Sequence, residues 1–260
     1  TIGRYHKYGS GEEIVERLMA AQGQFDTLNV DMMFNFPTQT AEIVERDVST
    51  LMNLGVDQIT YYPLMASEYT REIMRKRVGI VDYRNEKAFY TLISRMLSTK
   101  YGLSTAWCFS RNDAMIDEYV VNYEEYGGLG SGSIGYIDGT VYANTFDIPD
   151  YIRRVETGSF PLVAKKVCSL KERFRYDFLM KLFGGELDLA ALTGKNGVSA
   201  YRYLWPEILF FRSVGALKKR GNRLVLTQKG RYFWVVMMRE FFIGVNNFRD
   251  YCRARIAAQD

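Results

Sequence analysis

The chain of 260 residues is 47% hydrophobic and 25% charged, with three cysteines, one histidine and a net charge of +4. Such a composition excludes a disordered or low-complexity polypeptide, supplies apolar material for one large domain or two smaller ones, and demands no nucleic-acid role. No apolar run reaches the ~20 residues that span a bilayer, so no membrane insertion is expected. Cys108, Cys168 and Cys252 are too far apart for a zinc or iron–sulfur motif, and their odd number argues against a disulfide framework. A reducing, cytoplasmic setting is expected. The chain opens on TIGRYH, with neither an initiator methionine nor a signal peptide, and reads as a fragment whose amino-terminal part is missing.

From Gly11 to Gln22, Ile14, Val15, Leu18 and Met19 recur at helical spacing between acidic and basic residues. A buried strand is expected from about Phe25 to Phe36, within which NVDMMFNFPTQT (29–40) carries one acid, Asp31, inside an apolar run. An unpaired carboxylate in such a strand is costly. The residues alone leave two readings: a satisfied core aspartate, or a ligand-binding group near the strand's carboxyl end, where α/β sheets and barrels place their ligands. Thr40 caps a second helix whose buried face is Ile43, Val44, Val48, Leu51, Met52 and Leu54, and Gly55 stops it. Gln58 to Leu64 is a second buried strand. Helix, strand, helix, strand at this spacing is the pattern of a parallel sheet or barrel.

Residues 66–83 are polar and basic, a short helix and loop whose cluster Arg71, Arg75, Lys76 and Arg77 reads as a solvated face. Glu86 to Ser98 is a further helix. LSTAWCFS (103–110), MIDEYVVNY (115–123), IGYI and TVYANTF then read as short antiparallel strands, the last two joined by a type I′ turn at Asp138-Gly139. A short helix lies between Pro149 and Pro161. From Ser169 the chain is largely helical, with helices to about Phe183 and from Ala200 to Phe211, a hairpin-like GNRLVLTQKG (221–230) and a long last helix from Tyr232 to about Ile256. That order resembles a winged helix.

Gly130, Gly132 and Gly135 fit G-x-G-x-x-G by letter. A hairpin begins three residues later, where the dinucleotide fingerprint needs a helix, so the motif reads as a tight loop instead. His6 is the only histidine, and no metal site is expected within this chain. Lys218, Lys219, Arg220, Arg223 and Lys229 suit a DNA-binding wing. The helix before them, rich in Tyr, Trp, Leu and Phe, has few polar side chains with which to read bases. Nucleic-acid binding is not expected.

Several segments share one resemblance. Gly3-Arg4-Tyr5-His6 before a helix, NVDMMFNFPTQT, QITYYPLM, NYEEYGGLGSGSIG, VYANTFDIPDYI and LTQKGRYFW follow one another in the order of segments found in radical-SAM proteins related to oxygen-independent coproporphyrinogen III oxidase. Asn35, Phe36 and Thr38 depart from the family's G-L-P-G-Q-T, while Pro37, Gln39 and Thr40 keep it. Ala143-Asn144 stands where the oxidases have Gln-Asn.

The resemblance implies an α/β fold: the C-terminal half of a radical-SAM (β/α) partial barrel, followed by a small α+β, winged-helix-like domain. The expected division is residues 1–125 as the second half of the barrel with its extension, 126–165 as glycine loop and β-hairpin, and 166–260 as the helical end. It implies S-adenosylmethionine and a [4Fe-4S] cluster as cofactors, the cluster ligands lying outside this chain, which has no C-x-x-x-C-x-x-C. Arg4 is expected to pair with the methionyl carboxylate, Asp31 to accept from the ribose hydroxyls, Met33 to pack on the adenine and Met65 to offer backbone contacts. Gly128, Gly130, Gly132 and Tyr142 are expected at the substrate or its loop, and Tyr126, Arg153, Arg154 and Arg173 are further candidates for a flat ligand bearing propionates. The implied partners are a tetrapyrrole substrate or haem and the missing half of the same protein. The implied activity is that of a coproporphyrinogen dehydrogenase-like oxidoreductase, the fragment alone being inactive. Haem chaperones and anaerobic haem-degrading methyltransferases share the scaffold.

Overall fold

Helix α1 (Gly11–Ala21) starts where Ser10 and Glu13 cap each other's backbone amides, a reciprocal device that satisfies two donors the first turn leaves open. The computed structural model describes residues 10–77, 79–111, 121 and 123–257. It divides into two units, residues 1–116 and 117–260.

In the first unit α1 is followed by β1 (Asn29–Phe34), α2 (Ala41–Leu54), β2 (Gln58–Pro63), α3 (Glu68–Arg77), α4 (Glu86–Leu97), β3 (Gly102–Leu103) and β4 (Cys108–Ser110). β1 and β2 are parallel, in register from Asn29 beside Gln58 to Phe34 beside Pro63. β4 runs antiparallel to β2, and β3 to β4, giving the order β1-β2-β4-β3. The period-two alternation of strands separates two faces. Val30, Met32 and Phe34 share one with Ile59, Tyr61 and Phe109. There α4 packs on β1 and α2 on α4, burying Val44, Val48, Leu51, Phe89, Tyr90, Ile93 and Leu97. Each of these side chains contributes about 1.5–3 kcal/mol by leaving water. Gly55, at φ +71°, closes α2 in the left-handed conformation.

The second unit has two sheets. β5 (Ile134–Ile137), β6 (Thr140–Asn144) and β7 (Leu162–Val167) form an antiparallel sheet in that order, with α5 (Ile148–Glu156) between β6 and β7. Asp138 and Gly139, at φ +43° and +66°, form the turn expected from their sequence. Then come α6 (Leu170–Phe183), β8 (Glu186–Asp188), α7 (Leu189–Asn196), α8 (Ala200–Ser213), β9 (Leu217–Arg220), β10 (Arg223–Leu226) and α9 (Gln228–Ala257). The sheet order β8-β10-β9 with α6, α7 and α8 is a winged-helix arrangement.

Four elements differ from the sequence reading. β7 occupies a segment between two helices that periodicity left blank, because only its pairing with β6 defines it. β8 and α7 were likewise hidden: three and eight residues are too short to show a period. β1 is shorter than expected at both ends. The strand expected over 115–123 lies almost wholly outside the described residues.

The entry to α9 is a local device. Thr227 Oγ1 accepts from the Gly230 N–H at 3.0 Å and donates to the Gly215 carbonyl at 2.8 Å. A Cβ on Gly230 would lie 2.0 Å from the Ala216 carbonyl oxygen, so only glycine fits this close approach.

Candidate cofactor-binding site

The second face of the first sheet is polar. Register places Asn29, Asp31 and Met33 beside Gln58, Thr60 and Tyr62, with Cys108 and Ser110 of β4 next in line. Gln58, Thr60, Cys108 and Ser110 are buried, whereas Asp31 and Met33, on the edge strand β1, are exposed.

This overturns one expectation. Asp31 is not a buried carboxylate, so desolvation does not force a partner on it. The alternation of β1 turns Val30, Met32 and Phe34 inward to the helices and Asp31 outward. Its one hydrogen-bond partner among the described residues is Asn29, whose Nδ2 donates to Oδ1 at 3.0 Å. Asn29 Oδ1 in turn accepts from Thr60 Oγ1 at 3.3 Å, and Thr60 Oγ1 lies 3.7 Å from Cys108 Sγ. Ser110 Oγ reaches Gln58 Oε1 at 3.4 Å and is met by Ser104 Oγ at 2.9 Å. Buried polar groups need such partners. The result is a chain from the covered interior of the sheet, through Asn29, to an open carboxylate.

Beyond β1 the backbone turns sharply. Asn35 sits at φ +71°, and asparagine is among the few side-chain-bearing residues that tolerate that region. Glycine adopts this conformation freely, and Asn35 holds it here. Its N–H donates to Gln39 Oε1 at 2.7 Å, Gln39 N–H donates to the Phe36 carbonyl at 3.0 Å, and Thr40 Oγ1 accepts from Ile43 N–H at the start of α2. Pro37, Gln39 and Thr40 are thus a turn and a cap. Asn35 Nδ2 is buried without a hydrogen-bond partner among the described residues, an open donor just past the carboxyl end of β1. Met65 is half-buried two residues beyond β2, next to Leu64, whose N–H donates to the Phe34 carbonyl at 3.1 Å. Asp31, Met33 and Met65 therefore lie along one parallel pair toward its carboxyl end. Arg4 lies outside the described residues.

In the second unit the glycine loop is closed on itself. Asn144, buried at the end of β6, donates through Nδ2 to the Gly128 and Gly130 carbonyls at 3.1 and 3.2 Å and to Ser133 Oγ at 3.0 Å. The Gly128 N–H donates to Tyr142 Oη at 2.9 Å and the Gly130 N–H to Tyr151 Oη at 3.0 Å. The glycines are steric requirements. A Cβ on Gly132 would lie 2.9 Å from the Phe146 ring, and one on Gly135 would lie 2.3 Å from the Tyr142 ring. Tyr142 thus holds the loop through its hydroxyl and packs on Gly135 through its ring. Asn144 and Tyr151 were missed as site residues, although both stand inside the quoted VYANTFDIPDYI segment.

The other sequence candidates are engaged locally. Arg153 and Arg154 both pair with Asp150, Arg154 at 2.9 Å. Arg173 lies 3.3 Å from Asp138 and packs on the turn at Gly139. Tyr126 Oη is 3.0 Å from Tyr176 Oη, and the Tyr136 and Tyr176 rings approach to 4.5 Å. Burial and the neighbouring Asp177 push the Tyr136 phenol up to about 12, while burial and Tyr126 push Tyr176 up as well. These phenols stay neutral at physiological pH, and burial raises the Asp177 carboxyl too. A [4Fe-4S] cluster does not fit the described residues, because no group of three or more His, Cys, Asp or Glu side chains among them is placed to hold a metal.

No family model matches the chain. It is 27% identical to the heme chaperone HemW of Bacillus subtilis (strain 168) over 245 residues, 88% of this chain and 62% of that protein. It is 20% identical to the oxygen-independent coproporphyrinogen III oxidase of Pseudomonas aeruginosa over 230 residues, 80% of this chain and 50% of that one. Its fold matches coproporphyrinogen III oxidase (HemN) from Escherichia coli, a radical SAM enzyme, with a TM-score of 0.70 and 16% identity, over 90% of this chain and 59% of that structure. The chain thus resembles oxygen-independent coproporphyrinogen III oxidase and heme chaperone HemW in sequence, and it shares the fold of the HemN radical SAM enzyme. It spans 50–62% of the length of these three relatives. In that shared fold, β1 and β2 supply a stretch of parallel sheet and residues 170–257 the winged-helix-like end. No described helix is long and apolar enough to cross a membrane.

Proposed function

We propose that the chain supplies one wall of an S-adenosylmethionine site in a radical-SAM protein that handles a tetrapyrrole. The observation that carries this reading is the placement of Asp31 and Met33 side by side on the open face of β1, near the carboxyl end of a parallel pair. Asp31, with a single partner, has lone pairs left to accept from the two ribose hydroxyls. Met33, two residues on and on the same face, offers a polarizable surface to the adenine. Asn35 Nδ2 adds a donor with no hydrogen-bond partner among the described residues. Arg4 pairs with the methionyl carboxylate and Met65 contributes backbone contacts. A [4Fe-4S] cluster, which would have to be held by residues other than the described ones, would supply the electron for reductive cleavage of S-adenosylmethionine.

A second reading, haem carriage rather than coproporphyrinogen oxidation, is favoured by the names of the curated relatives, since HemW proteins from Lactococcus lactis, Bacillus subtilis and Mycobacterium tuberculosis all match. The full gene product, purified anaerobically, separates the two. Turnover of coproporphyrinogen with release of 5′-deoxyadenosine supports the oxidase. Stoichiometric haem binding without product supports the chaperone. Failure to bind S-adenosylmethionine in calorimetry overturns the common core of both.

A further inference from the structure

The winged-helix end carries a surface that the proposed cofactor site does not use. On α8, Tyr201, Trp205 and Leu209 follow at four-residue spacing, one face of a helix, and they are 51, 52 and 61% exposed. Beside them β9 presents Lys218, Lys219 and Arg220, all exposed. The two elements adjoin: Lys219 Nζ lies 6.0 Å from the Tyr201 ring centroid, and Leu209, Arg212, Leu217 and the three β9 cations line one shallow groove. Nearby carboxylates are already used. Glu207 pairs with Arg175 at 2.7 Å, Glu186 with Arg223, and Asp188 caps α7. Arg212, Lys218, Lys219 and Arg220 form no ion pair among the described residues. An apolar stripe edged by four unneutralised cations is thus left open to solvent.

We propose that this groove docks an acidic, amphipathic segment of a partner protein, its apolar side chains on Tyr201, Trp205 and Leu209 and its carboxylates on Arg212 and the β9 cations. Charge complementarity selects the acid, and the stripe selects the apolar half; Trp, Tyr and Arg are also the residues that anchor protein interfaces. Duplex DNA satisfies the cations only. It would set the mainly apolar surfaces of Tyr201, Trp205 and Leu209 against base edges and phosphates, where one phenol hydroxyl and one indole N–H are all that this stripe offers for hydrogen bonding. A bilayer favours an apolar face that projects into it, whereas here Leu209 and Leu217 sit within a groove lined by Arg212 and the β9 cations.

Trp205 is a built-in reporter, because Trp107 and Trp234 are 1% and 0% exposed. Titration with a synthetic amphipathic peptide of leucine and glutamate is expected to give a saturable blue shift of tryptophan emission. The corresponding leucine–lysine peptide is expected to give none. Affinity for the glutamate peptide, read by anisotropy of a label on it, should fall at least about tenfold, the scale of an interface anchor, in Lys218→Glu/Lys219→Glu and in Trp205→Ala. Unchanged near-ultraviolet circular dichroism from the buried tryptophans verifies that the variants are folded. No saturable shift, equal shifts with both peptides, undiminished binding in both folded variants, or tighter binding to a DNA duplex or to phosphatidylserine vesicles overturns the proposal.

Discussion

The polar face of the first sheet and the glycine loop of the second unit use the same kinds of group and reach opposite ends. In the loop, Asn144, Tyr142 and Tyr151 take up the Gly128 and Gly130 amides and carbonyls, so the backbone is held from within. On the sheet the network Cys108, Thr60, Asn29 stops at Asp31, whose carboxylate faces outward with one partner. A polar cluster that closes on itself is a frame. One that ends in an exposed carboxylate at the edge of a parallel pair leaves acceptors open, and it is there that we propose a ligand binds.

The largest expected effect tests the frame. Asn144→Ala removes three hydrogen bonds and takes the donor from the Gly128 carbonyl, while the Gly130 carbonyl keeps Ser133 Oγ; a loss of about 3 kcal/mol is expected, which urea or thermal unfolding will read. A loss near zero would break the contrast, since the loop would then not depend on its peg. Gly135→Ala drives a methyl into the Tyr142 ring, an overpacking cost of about 2 kcal/mol in the same assay; Gly135→Ala combined with Tyr142→Ala should recover part of it.

The open face predicts the reverse pattern. Asp31→Asn leaves stability within about 0.5 kcal/mol, as surface changes do, yet weakens S-adenosylmethionine binding by the full gene product about tenfold, or ~1.4 kcal/mol, in calorimetry. If stability falls and affinity does not, Asp31 belongs to a frame as well.

The smallest effect concerns a carboxylate used internally. Glu172 pairs with Lys166 and completes the capping box of α6 with Ser169, and these hold its carboxyl down at about 2 from an ordinary 4.5. A depressed folded-state value means that the contribution is complete above pH 4.5 and fades as pH falls toward 2. Glu172→Gln should flatten that acid limb slightly in unfolding curves recorded across the window. An unchanged limb would show that this exposed pair is too screened to matter.

Sequence by itself determined the elements with a period or a stop signal long enough to read: α1, α2, α4 and α6, the pair β1 and β2, the Asp138-Gly139 turn and the long last helix. It also determined the radical-SAM resemblance, carried by short segments in a shared order. Tertiary structure decided what alternation cannot: which face of β1 the helices cover. That choice turned Asp31 outward and removed the argument from burial, while setting Met33 beside it. Pairing partners decided β7 and β8, which are strands only because β6 and β10 run alongside them. The role of Asn144 was equally out of reach, because its three acceptors lie 11 to 16 residues away in sequence. Side-chain contacts across that separation exist only once the hairpin has closed.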